Sequence, residues 1–425
     1  MARPAAGGSS REKSRAGFRA LALAGSLAAG CGAPPPPPAP DAAPVPVLVQ
    51  PPEPGIEGAL RLAAIFPTVG RYAISGIQSL NGARLAVADL NARGGIHGRP
   101  LELLEYRTGS YFLDAARAAG MAAAEGRVLG VVGSNSSSLS MAVAEVVEAH
   151  GLVEVSNVST ATDLTWDPAT GRVRRFVFRV CSSDTTMGRQ LARHARSALG
   201  ARRVAVLYEV GRTYSAHLAR SFVEAFEEGD QGRTTEEFVY LPLETDFRNQ
   251  LHDIAAWDPD AIFLPSSFTD ATLVGMQAEQ LGLQATLLGA DGWSNRLLFA
   301  RGGPSRPSYF GDHCAPPEAF DARYREAYGE ESDGCRAVLA YDAVMALAAA
   351  LERVGPVGDR GLAGDLRPLR ARVRDALAEV EIEGEAGAVR FDQHGDSQRS
   401  VAIMRTSRDP DGVRRTRLVR LLRGP

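Results

Sequence analysis

From about residue 58 onward, short apolar runs alternate with amphipathic stretches of helical length, and this alternation dominates the chain. Leu60 to Phe66, Leu101 to Tyr106, Val128 to Val132 and Leu152 to Ser156 predict strands. Helices are predicted between them at Ile77 to Ala92, Leu113 to Glu125 and Leu139 to His150. Arg93-Gly94-Gly95 is a stop signal for the first helix. Strands alternating with helices of this length predict βαβ units and a parallel sheet. Phe176 to Arg179 predicts a crossing strand, after which a second series begins. Its strands are predicted at Arg203 to Tyr208, Glu237 to Leu241, Ala261 to Leu264 and Ala285 to Leu288. Its helices are predicted at Thr185 to Leu199, Ser215 to Glu227, Phe247 to Ala256 and Ala271 to Leu281. The rest predicts helices at Ala319 to Tyr328, Arg336 to Val354 and Leu366 to Ala378. Short strands are predicted at Ala388 to Phe391, Val401 to Arg405 and Arg417 to Leu422. The expected fold class is α/β, with two doubly wound lobes and mainly parallel sheets.

One turn stands out. Val128 to Val132 runs into Gly133-Ser134-Asn135-Ser136-Ser137-Ser138, and a helix starts at once. A helix N-terminus carries unpaired N–H groups and the positive end of the dipole, so it attracts a small anion without any lysine. A weaker copy follows, where Leu152 to Val155 leads into Ser156-Asn157-Val158-Ser159-Thr160. Two hydroxyl-rich turns on consecutive strands sit side by side at the carboxyl edge of a parallel sheet, where such sheets bind ligands. The plain alternative is that these serines only cap helices. Together they point to a carboxylate-binding cleft.

A chain of 425 residues is too long for one core. Its 47 basic and 50 acidic residues give a net charge of −3, and the basic ones are dispersed, so no nucleic-acid partner is expected. The N-terminus reads as a targeting segment. Arg11, Lys13, Arg15 and Arg19 precede an apolar stretch, Leu21 to Gly30, too short for a permanent span. It ends in Leu27-Ala28-Ala29-Gly30-Cys31, which resembles a bacterial lipoprotein signal, with Ala28 where that motif more often has leucine. The resemblance implies lipidation of Cys31 and a membrane anchor. Eleven of the 26 prolines lie between Pro34 and Pro54, a stiff tether at ~3.1 Å per residue. In an oxidising compartment Cys314 and Cys335 are candidates for a bridge, with Cys181 left buried or free. Neither metal-ligand spacing nor a cofactor motif occurs, and none is expected.

Several segments resemble type I periplasmic ligand-binding proteins, in the branch of leucine/isoleucine/valine-binding and amide-binding proteins. They are Asn81 to Val87, Asn91 to Pro100, Phe178 to Asp184 with Gly188, Val204 to Tyr208 with Tyr214, Pro259 to Leu264, Leu288 to Trp293 and Ala340 to Val344. The resemblance implies a clamshell of two lobes joined by a hinge of three crossovers. It assigns residues 1–31 to the signal and 32–57 to the tether. Lobe 1 takes 58–180 plus 314–397, and lobe 2 takes 181–313 plus 398–425. It also implies that Ser137 and Ser138 bind a ligand carboxylate and that Ser159 and Thr160, on the neighbouring turn, contact both that carboxylate and the ligand's amine. Tyr214 is the aromatic that closes over the ligand, and Asp291 pairs with its ammonium. Ser266-Ser267-Phe268 replaces a common Gly-Tyr-Tyr run, putting Ser267 at the site, and Ser75 stands where an aromatic is frequent. Trp293 beside Asp291 walls the pocket or packs into the lobe.

No G-x-S-x-G elbow, Walker A or G-x-G-x-x-G sequence follows a predicted strand, so an enzyme is not expected. The expected protein is a monomeric, lipid-anchored substrate-binding protein of an ABC importer in the periplasm or cell envelope. It takes a branched-chain-like amino acid or small amide by hinge closure and hands it to an ABC permease. A ligand-sensing lipoprotein of the same fold is the alternative.

Overall fold

A computed structural model describes residue 49 and residues 55–229, 232–300, 302–411 and 413–422. Cys31, the signal segment and nearly all of the tether lie outside the described residues.

The first sheet is built from β1 (Leu60–Pro67), β2 (Leu101–Thr108), β3 (Val128–Gly133), β4 (Val153–Ser156) and, after a small ribbon of β5 (Trp166–Asp167) and β6 (Arg172–Val173), β7 (Val177–Arg179). Its order is β2-β1-β3-β4-β7, and every neighbour is parallel. β1 and β3 are buried along almost their whole length, as strands covered on both faces must be. Helix α1 (Ala73–Ala92) covers one face; α2 (Phe112–Ala124) and α3 (Ser137–His150) cover the other.

The second sheet follows the same logic. Helices α4 (Asp184–Ser197), α5 (Thr213–Glu227), α6 (Arg248–Trp257) and α7 (Phe268–Gln280) alternate with β8 (Arg203–Glu209), β9 (Thr234–Tyr240), β10 (Ala261–Phe263), β11 (Thr286–Gly289) and β12 (Ser308–Asp312). Strands β9-β8-β10-β11-β12 are parallel, and β15 (Val401–Arg408) and β16 (Arg414–Leu422) extend the β12 edge antiparallel. Between β12 and β15 the chain returns to the first sheet. There it lays down α8 (Glu318–Tyr328), α9 (Arg336–Val354), α10 (Arg367–Ala378) and the hairpin β13 (Glu381–Gly384) and β14 (Gly387–Arg390). The chain therefore passes between the lobes three times: after β7, after β12 and before β15.

The main departures from the sequence reading have local causes. The strand β12 was not expected, because Ser-Tyr-Phe-Gly-Asp shows neither alternation nor an apolar run. Helix α1 begins at Ala73, a turn before the expected Ile77, since Ser75 and Gly76 are weak helix formers that hid its first turn. Strand β9 begins at Thr234 rather than Glu237, its exposed polar start being that of an edge strand. Gly82 lets α1 approach α9 closely: a Cβ there would stand 2.0 Å from the Ala337 carbonyl oxygen. Cys314, in the second interlobe connection, is disulfide-bonded to Cys335, which caps α9, while Cys181 is free and buried. Among the described residues, no helix is long and apolar enough to cross a membrane.

Candidate functional site

In an open parallel sheet the chain order reverses at one point, and the loops there diverge to leave a crevice at the carboxyl ends of the strands. In the first sheet that point lies between β1 and β3; in the second, between β8 and β10. Both crevices open onto one cavity of about 330 Å³. Arg71, Tyr72, Ile74 and Ser75 reach it from the loop after β1 and the start of α1, and Asn135 to Ser137 from the loop after β3. From the second lobe come Arg212 and Tyr214 after β8, Ser267 to Thr269 after β10, and Asp291 and Gly292 after β11. The volume is at the small end of the range for small-molecule sites.

The first wall is a helix start. Strand β3 ends at Gly133, whose φ of 117° suits glycine, and the chain turns into α3. Ser136 sits at the N-cap without using its side chain as a cap; the Leu139 and Ser140 amides donate to its carbonyl, which leaves the Ser137 and Ser138 amides free for an acceptor in the cavity. Behind the loop lies a tight hydroxyl network. Ser140 Oγ receives the Ser134 amide at 2.9 Å and meets Ser159 Oγ at 2.8 Å and Ser156 Oγ at 3.2 Å. Ser156 and Ser159 also donate to the Ser134 carbonyl, at 2.9 and 3.2 Å.

The second wall carries the acid. Tyr214 donates its hydroxyl to Asp291 Oδ1 at 3.1 Å and accepts the Gly292 amide at 3.0 Å. His313 Nε2 stands 3.6 Å from Asp291 Oδ2. Burial pushes the Asp291 carboxyl up, but His313, the Arg336 guanidinium and the Tyr214 hydroxyl together hold it below the ordinary carboxylate range. It is an anion facing a cavity. Burial and the nearby Asp291 charge keep the Tyr214 phenol protonated by raising its pKa.

The cavity gathers four of the residues expected at the site: Ser137, Tyr214, Ser267 and Asp291. Ser267 does double duty, since its Oγ also caps α7 by accepting the Asp270 amide at 3.3 Å. Ser138, in the first turn of α3, is exposed and does not line the cavity. Ser159 and Thr160 are fully buried and do not line the cavity; the Ser159 hydroxyl is engaged in the network that shapes the loop. Trp293 is a core residue, donating from Nε1 to the Leu264 carbonyl at 3.0 Å. The sequence reading missed Arg71, Tyr72, Asn135, Phe268, Arg212 and Arg336. For the first five the available signal was their place in loops after the strands flanking each reversal point, a stronger guide than residue type in so arginine-rich a chain.

Residues 59–411 match the family model described as periplasmic binding protein. The chain belongs to that family. It is thus a solute-binding protein and not an enzyme, and family membership implies a periplasmic location. Its curated relatives include Leu/Ile/Val-binding protein BraC3 of Rhizobium johnstonii, 26% identical over 79% of this chain and 88% of the relative. Among solved structures, a leucine-binding protein from Thermotoga maritima is 27% identical with a TM-score of 0.75, covering 86% of this chain and 99% of that one. An ABC transporter substrate-binding protein from Desulfitobacterium hafniense, in complex with Leu, is 25% identical with a TM-score of 0.68, covering 85% of this chain and 100% of that one. The expected clamshell class agrees with these neighbours and with the two parallel sheets of this periplasmic binding protein.

Proposed function

We propose that this periplasmic binding protein is the substrate-binding lipoprotein of an ABC importer and that it captures an α-amino acid between its lobes. One observation carries the reading: the uncapped N-terminus of α3 and the Tyr214–Asp291 pair face a single cavity from opposite lobes. A helix start attracts a carboxylate and Asp291 attracts an ammonium, so a zwitterion satisfies both walls at once. Hinge closure is then driven by the ligand, because only the closed form supplies both contacts. The names of the relatives and the leucine-bound neighbour support an amino acid as the solute. Ser137 is the side chain of the carboxylate wall, with Ser138 contributing its backbone amide. Ser159 holds the loop from behind, and Thr160 is buried beside it, its carbonyl accepting the Asp184 amide. The resemblance of residues 27–31 to a lipoprotein signal supports an anchor at Cys31, with an ABC permease as the partner that receives the closed form.

A thermal-shift screen of the twenty amino acids and simple amides tests the proposal. A ligand that binds only the native state raises the melting temperature, by an amount equivalent to about 2.7 kcal/mol at a hundred times its Kd. At least one α-amino acid is expected to do so. A flat response across the whole set rejects the amino-acid reading.

A further inference from the structure

Arg212 is the loose end in the cavity. It caps the start of α5, its side chain is 16% exposed, and it lines the site. Its guanidinium carbon lies 5.2 Å from the Tyr214 ring centre and 6.0 Å from that of Tyr72, one aromatic from each lobe. Among the described residues its one polar contact is Nη1 to Glu209 Oε2, at 3.3 Å. That oxygen already accepts Arg71 Nη2 at 2.8 Å, while Arg71 Nη1 takes Oε1 at 2.8 Å. One carboxylate therefore serves two guanidiniums, and the bidentate geometry belongs to Arg71. The third arginine of the cavity, Arg336, points its donors at the backbone carbonyls of Ser294, Asp333 and Asp291. No described residue accepts from Nε–H in any of the three, but Arg212 alone also leaves its Nη2–H groups without a described partner.

The charges on the second wall have an order. Arg212 stacks on the ring of Tyr214, and the hydroxyl of the same ring holds Asp291. Cation and anion are thus spaced by one tyrosine, facing the start of α3. An amino acid with its ammonium at Asp291 and its α-carboxylate at α3 has its side chain free to follow the Tyr214 face toward Arg212. An aliphatic side chain there removes water from a half-paired guanidinium and replaces none of its hydrogen bonds, which is unfavourable. A carboxylate matches the donor fork and neutralises the charge. Resting on the amino-acid reading above, we infer that the solute carries a second carboxylate bound by Arg212, so that the cleft selects an acidic amino acid over an aliphatic one.

Calorimetric titration of the full chain with L-glutamate, L-aspartate, L-glutamine, L-asparagine and L-leucine tests this. The better of the two acids should bind at least about tenfold tighter than its own amide and than leucine, the gain from a charge-assisted pair. Arg212→Met should bring acid and amide to within about threefold of each other by weakening the acid alone, and Arg212→Lys should fall between the two because it lacks the fork. Amide or leucine binding as tight as the acids in the unaltered protein overturns the inference and leaves the amino-acid reading standing. An acid preference that survives in a folded Arg212→Met overturns the assignment to Arg212. Binding of none of the five, with a flat thermal-shift screen, overturns the amino-acid reading as well. If Arg212→Met does not fold, the acid-to-amide ratio of the unaltered protein decides.

Discussion

Asp291 remains charged at a site where burial alone favours its neutral form, because His313, Arg336 and Tyr214 outweigh the loss of water. A carboxylate stabilised before the ligand arrives is a ready partner for an ammonium. Asp291→Asn keeps the shape and removes the charge, so it should weaken binding of whichever amino acid the screen identifies by about 30- to 100-fold, equivalent to roughly 2–3 kcal/mol. Calorimetric titration measures this, and an unchanged Kd takes Asp291 out of the site. Asp184, at the start of α4, is the opposite case. Its carboxyl is fully buried, and both oxygens lack a described hydrogen bond of normal geometry. Burial raises its pKa to about 8, assisted by the charges of Asp291 and Asp163 and opposed by the Thr160 hydroxyl and Arg179. The folded state therefore keeps a proton that the unfolded chain releases near pH 4. The stabilisation is complete below that pH and is lost steadily up to about pH 8, on the order of a few kcal/mol in all. Asp184→Asn should flatten this decline. Urea unfolding at intervals from pH 5 to 9 compares the slopes, and parallel curves for the two proteins would refute it.

Helices and strands were legible where a single physical demand shaped their residues. Strands β1, β3 and β8 lie between helix layers, so they are near-continuous apolar runs. The strand β12 sits next to the antiparallel extension and mixes Ser308, Gly311 and Asp312 with two aromatics, which leaves no period to read. The serine turn was legible because β3 and α3 bracket it, whereas the burial of Ser159 depends on Ser140 and Ser156 reaching it from other elements. Gly82 gives a test at this scale. On an isolated helix, Gly→Ala stabilises by about 1 kcal/mol. At this crossing the added methyl meets the Ala337 carbonyl at 2.0 Å, and α1 has to move away from α9 at a cost of about 1–3 kcal/mol. Packing should win: Gly82→Ala is expected to lower the thermal midpoint, and a rise would mean that α1 and α9 separate freely.

Across the whole molecule, the two lobes are held together over the cavity by charge. Arg71 belongs to the first lobe, in the loop after β1; Glu209 ends β8 in the second, and its side chain is only 2% exposed. Their two hydrogen bonds at 2.8 Å exist only while the lobes face each other, and Arg71 adds Asp270 at 3.4 Å. On the flank, His217 of α5 approaches Asp163 at 3.6 Å. Bidentate charge-assisted bonds are stronger than neutral ones, so under the proposed hinge closure this pair favours the closed form before any ligand binds. Removing it lowers the closed population, and apparent affinity falls in proportion. Arg71→Ala should therefore raise Kd by about five- to tenfold, leave the fold intact and increase the ligand-free radius of gyration in small-angle scattering. The same variant frees Glu209 to pair fully with Arg212, which removes the open donors from the cavity. An acidic solute should then lose more affinity than its amide, so the latch and the specificity of the cleft are coupled through one glutamate. Equal losses for acid and amide, with no change in scattering, would show that Arg71 neither closes the hinge nor keeps Arg212 available.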